Sequence, residues 1–184
     1  LFAHMVLGAV LTVGAPIQAM PVLRRRAAGL HRRLGYGLAA LAVLTGVLGL
    51  VYIAGRGTIG GWNMSLAFAV YGAALIVAAA NTVYHAIAKD IRRHNRWAVR
   101  LVILAVGSWI YRMHYGLWFM ATDGAGSTEA FTGPFDQVTV WAFFVPYLLA
   151  AEAVFRRADR RRGTAAALRS ARRPRARAIR PERP

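Results

Sequence analysis

Five histidines and two arginines carry whatever chemistry this chain can do. His114 and Arg112 lie in GSWIYRMHYG, residues 107–116, inside a long apolar run. Ionisable side chains at such positions are expensive in lipid and mark functional sites by default. His4 lies near the start of the chain, and His31, His85 and His94 lie beside clusters of arginine. Two imidazoles on different helices at one depth can hold a haem iron from both faces. Small residues beside them leave room for a flat, bulky ring. Gly8 follows His4 by one turn, and Gly35 follows His31 by one turn. On the helix that carries His114, a period of 100° per residue puts Arg100, Gly107, Tyr111, His114 and Trp118 on one stripe, with Arg112 about 120° away. That stripe predicts an inward face. Arg112 then needs its own partner: a carbonyl, a phosphate, or an acid such as Asp136.

The elements that must position these groups are membrane helices. The chain has 184 residues, 57% of them hydrophobic, and mean hydropathy is +0.39. An ordinary soluble domain is roughly 45–50% apolar. Yet the formal charge is +17, so charge and apolarity must occupy different segments. Residues 1–23, 34–54, 64–88, 98–121 and 138–155 are five apolar runs. Each has about the twenty residues that cross a hydrocarbon core. In lipid the backbone must satisfy itself, so the runs predict an all-α bundle of five transmembrane helices. Gly, Ala and Thr recur within them, as close helix packing in membranes favours.

Charge then orients the bundle. Arg24, Arg25, Arg26, Arg32 and Arg33 follow run one. Lys89, Arg92, Arg93 and Arg96 follow run three, and twelve arginines follow run five. The opposite loops carry Arg56 alone. The positive-inside rule places the N-terminus outside and the C-terminus in the cytoplasm of a bacterial inner membrane. Residues 1–155 are then the bundle. Residues 156–184, rich in Arg and Pro and poor in large apolar residues, predict a disordered tail. The tail's expected partner is anionic lipid of the inner leaflet. No aromatic residue follows Phe155 to stack on bases, so no nucleic-acid partner is expected. The chain opens on Leu1, which predicts a preceding segment. Run one lacks the basic n-region and cleavage site of a signal peptide and is read as a span.

Counting along the runs puts His4 and His114 in an outer layer and His31, His85 and His94 in an inner one. The expectation is an integral membrane protein that binds haem b, or a metal, and moves electrons across the bilayer. His4 and His114 are the outer ligands, and His31 with His94 or His85 the inner ones. Arg100 and Tyr111 support the site, and a redox partner or quinone exchanges electrons with it. The metal reading uses His4, His114, His31 and His94. No HExxH pair supports a hydrolytic zinc site, and the absence of cysteine excludes thiolate chemistry. No phosphate-binding or dinucleotide fingerprint is present. The alternative is a non-redox membrane protein, such as a small transporter, lipid-binding protein or assembly factor, whose His and Arg residues are structural.

The segments AHMVLGAVLTVGAPIQ, LHRRLGY and KDIRRHNRWAVR resemble an uncharacterised family of bacterial membrane proteins, domain of unknown function 2306. The positions that carry the likeness are His4, then His31, Arg32 and Gly35, then Asp90, His94, Trp97 and Arg100. The resemblance covers residues 1–155 and implies a membrane bundle without an assigned activity. His114 departs from the family pattern, which shifts weight to His4, His31 and His94. A looser likeness to di-haem cytochrome b and ferric-reductase bundles rests on the two histidine layers alone.

Overall fold

The computed structural model describes residues 2–172, and the side chains of residues 4–165. Among these residues every regular element is helical: α1 (Phe2–Ala19), α2 (Pro21–Arg26), α3 (Ala28–Arg56), α4 (Gly61–Ile87), α5 (Ile91–Thr122), α6 (Pro134–Ala142) and α7 (Val145–Arg172). Three helical stretches are long and apolar enough to cross a membrane: Ala28–Arg56, Gly61–Ile87 and Pro134–Ala165. The apolar part of α1, His4–Ala19, is shorter. Large apolar side chains cover the exterior, with Val51, Trp62 and Met120 exposed. Such an apolar exterior is compatible with a membrane-type bundle.

Local chemistry explains the boundaries. Run one divides at Met20 because Pro21 occupies the first turn of α2, where its missing N–H is not needed. Between α4 and α5 the chain reverses within three residues. Lys89 takes a left-handed φ of 57°, and Asp90 caps α5 by accepting the Arg93 N–H at 3.0 Å. At the other end of α5, Asp123, Gly124 and Gly126 all have positive φ and turn the chain into the 123–133 loop. Run five is two helices rather than one, joined at Phe143 and Phe144, both fully buried.

The four helices α1, α3, α4 and α5 form a closed ring, each packed on two neighbours, and α6 lies against α4 and α5. Small residues set the close crossings. A Cβ on Gly46 of α3 would meet the Gly72 carbonyl of α4 at 2.9 Å. The core holds Leu11, Ala39, Ala42, Leu75, Ala78, Leu104 and Ala105. Neighbours run antiparallel. The missing side chain of Gly49 faces His4, and that of Gly35 faces Gln18, so α3 retraces α1. Thr82 bonds to His94 and Tyr71 to Leu104, so α5 retraces α4.

Among the described residues, 149–172 belong to a second compact unit. There α7 runs helical through 156–172, where the sequence reading expected a disordered tail to begin. Ala and Arg are good helix formers, and no proline falls between Phe155 and Pro174. Residues 173–184 of that expected tail lie outside the described residues.

Candidate functional site

A cavity of about 800 Å³ occupies the end of the ring where α1 begins and α3 ends. All four helices line it. His4, Gly8 and Thr12 come from α1, and Thr45, Gly46, Gly49 and Tyr52 from α3. Phe68 and Tyr71 come from α4, and Ser108, Trp109, Tyr111 and Arg112 from α5. The walls are mostly apolar and aromatic, with a few polar groups, as small-molecule sites are.

One anchor fixes the level of the polar groups. The Thr12 hydroxyl lies 2.9 Å from the Gly8 carbonyl and 3.1 Å from the Ala105 carbonyl, tying α1 to α5. His4 is eight residues from Thr12 in one direction, and Arg112 is seven residues from Ala105 on the antiparallel helix. At 1.5 Å per residue both lie about 10–12 Å from that anchor, at one depth. The glycines make the space. Gly8 has nothing within 4 Å of where a Cβ would stand, and a Cβ on Gly49 would lie 3.5 Å from His4 Cε1.

The wall has unspent polar capacity. His4 Nδ1 and Thr45 Oγ1 are buried and have no hydrogen-bond partner among the described residues. Arg112 donates from Nη1 to the Ser108 carbonyl at 2.8 Å, which uses one of five N–H groups. Tyr71, by contrast, is fully committed. Its hydroxyl donates to Leu104 O at 2.5 Å, and Gly107 lets its ring lie flat on α5, since a Cβ there would come within 3.0 Å.

The outer pair predicted from sequence shares a depth but not a cavity. His114 borders a separate, shallower cleft with Trp118 and Phe135. Its Nε2 is 3.3 Å from the Tyr147 hydroxyl, and the two rings stack. Part of the stripe packs on protein: Gly107 is buried, Tyr111 packs on Phe68 and Phe143, and Trp118, though exposed, stacks on Phe135. The cavity face of α5 is the neighbouring one. Ala105, Ser108, Trp109 and Arg112, spaced i, i+3, i+4 and i+7, line it. Arg112 therefore reaches the place assigned to His114. Its expected acid partner is engaged elsewhere. Asp136, 0% exposed, accepts from Tyr115 Oη at 2.8 Å, Ser127 Oγ at 2.7 Å, Thr128 N at 3.0 Å and Gly133 N at 2.9 Å. The sequence offered one signal for this lock, an acid at the third position of a helix that Gly-Pro begins.

At the opposite end of the ring lie His31, in the first turn of α3, and His94, in the first turn of α5. The His94 Nδ1–H donates to Thr82 O at 2.9 Å, leaving the Nε2 lone pair for a ligand. His31 Nδ1 is buried without a partner among the described residues, and the His31 carbonyl accepts from Gln18 Nε2 at 2.5 Å. The space beside Gly35 is filled by that same Gln18. His85 is buried with its ring edge on Tyr84. Arg100 lies over the Trp97 ring at 4.7 Å and does not line the cavity. Among the described residues no three of His, Asp and Glu gather closely enough to hold a metal ion. No family model matches the chain, and neither a curated protein nor a solved structure matches it.

Proposed function

We propose that this chain is a multi-pass protein of the bacterial cytoplasmic membrane that holds a flat, lipophilic redox cofactor inside its four-helix ring and takes part in electron transfer across the bilayer. The observation that carries this reading is the cavity. It is wide, apolar and aromatic-walled, with an imidazole and a guanidinium at one depth. The proposal includes five spans, an external N-terminus, a cytoplasmic C-terminus, and anionic lipid beside the basic end of α7. It keeps the likeness to the uncharacterised membrane family on His31, Gly35, His94 and Trp97.

Haem b is the cofactor to test first. In the outer cavity His4 is the imidazole on the wall that would be tested as an axial ligand, through whichever ring nitrogen is unprotonated, and Arg112 would pair with a propionate. On the inner side His94 has the orientation of a ligand, its Nδ1–H fixed on a carbonyl, with His31 beside it. Bound haem would supply one-electron chemistry; the chain supplies orientation and a dry environment. The test is optical. The full chain, purified in detergent after expression with haem supplied, should show a Soret band that shifts on reduction with dithionite. A spectrum without that band ends the haem form of the proposal.

The non-redox alternative draws on specific contacts too. His114 on Tyr147 and Arg100 on Trp97 have structural partners. If neither haem nor any other redox-active molecule accompanies or binds the protein, the polar residues serve the bundle and the redox reading is withdrawn.

A further inference from the structure

The tautomer of His4 narrows the class of molecule that the cavity takes, on the reading that the cavity is a cofactor site. A histidine that coordinates iron through Nε2 carries its proton on Nδ1 and normally donates it to a carbonyl or carboxylate. His94 is arranged in that way. His4 is not: its Nδ1 is buried with no acceptor among the described residues. A proton there would be a buried donor left unmade, which costs more than an unpaired lone pair of the same ring. The proton therefore belongs on Nε2, which is not among the buried unpartnered atoms and makes no hydrogen bond among the described residues. His4 thus offers an N–H donor. Arg112, at the same depth on α5, offers the N–H groups not spent on Ser108.

We infer that the cavity binds a quinone-type ring, with a carbonyl oxygen accepting from His4 Nε2–H and a second oxygen accepting from Arg112. Donors on two different walls suit a flat ring with oxygens on separate edges. A lipid headgroup would gather its oxygens at one end. The aromatic side chains of Phe68, Trp109 and Tyr111 supply faces for the ring. Gly8 and Gly49 leave the width it needs beside His4.

The experiment uses the full chain in detergent, titrated with decylubiquinone and followed by tryptophan fluorescence. Binding should be saturable. His4→Leu and Arg112→Leu should each weaken it roughly tenfold or more, the scale of one hydrogen bond lost. His4→Gln, which keeps an N–H donor, should weaken it less than His4→Leu. His114→Leu should leave it unchanged. Melting temperature and helical circular dichroism report folding; if His4→Leu does not fold, Arg112→Leu and His4→Gln decide the matter. A Soret band in the wild type that His4→Leu abolishes overturns the quinone inference and leaves the cofactor reading standing. Displacement of decylubiquinone by phosphatidylglycerol at equal concentration also overturns it, in favour of a lipid headgroup. Binding of neither haem nor decylubiquinone overturns the inference and the cofactor reading together.

Discussion

At the scale of single residues, the same side-chain types divide into spent and unspent groups. Asp136 is the clearest spent one. Four donors converge on its carboxylate, from α5, from the 123–133 loop and from the start of α6. Truncation to alanine strands those donors in a buried space. The expected cost is about 2–4 kcal/mol, since each buried donor left unpaired costs about 1–3 kcal/mol and part of the loop relaxes. Thermal unfolding in detergent measures it, and Asp136→Asn, which keeps one acceptor oxygen, should lose less. An Asp136→Ala protein as stable as the wild type would mean that the loop does not depend on this carboxylate. His4 is the unspent counterpart. One fact singled it out in the sequence, an ionisable group in an apolar run. Its partner was not legible there. Helical phase put His114 on one stripe of α5 with Gly107 and Tyr111. It could not say which neighbour covers which face, and Arg112 rather than His114 borders the cavity because α5 lies between α1 and α4 with α6 on its flank.

At the scale of elements, small residues decide how closely the helices approach. Gly46 faces the Gly72 carbonyl and the Ile76 side chain, both inside 3 Å of where an added methyl would stand. Gly46→Ala should cost about 1–3 kcal/mol by overpacking the α3–α4 crossing, read from unfolding in detergent. Gly8→Ala, where nothing lies within 4 Å, should fold like the wild type. The cap of α5 responds to pH. The Arg93 N–H holds the Asp90 carboxyl below the usual carboxylate range, with the Arg93 charge adding to it. A depressed folded value means that the cap contributes fully above the ordinary value of about 3.9 and loses its contribution as pH falls through the lower, folded value. Melting curves between pH 2 and 6 should therefore show an acid-side loss that Asp90→Asn diminishes. An undiminished slope in Asp90→Asn would assign the loss to other carboxyls. Apolar runs made the helices legible, but not their joints. Pro21 and the buried Phe143–Phe144 pair split two of the runs, and the split at Phe143 depends on tertiary packing that no local pattern carries.

At the scale of the whole molecule, the all-helical fold was legible because apolar segments of this length leave the backbone only one way to satisfy itself. The number of spans was not settled by the same argument. Three stretches have the length and composition of a span, whereas α5, with 32 residues, is long enough but carries its own arginines and histidines. Arg112 donates to the Ser108 carbonyl of its own helix and His114 meets Tyr147, so a polar helix can cross where its ionisable groups have such partners. The antiparallel order of α1, α3, α4 and α5 then requires successive connections to alternate between the two sides. The chain has no cysteine, so a single introduced thiol reports one position without interference. Glu129→Cys lies in the exposed loop after α5, and Ala158→Cys lies on the exposed basic stretch of α7. In intact bacterial cells a membrane-impermeant maleimide should label position 129 and spare position 158 until the membrane is opened. Ala88→Cys, exposed between α4 and α5, should behave like position 158. Labelling of positions 88 and 129 from the same side would mean that α5 does not span, which would leave the cavity without a transmembrane wall and remove the basis for electron transfer across the bilayer.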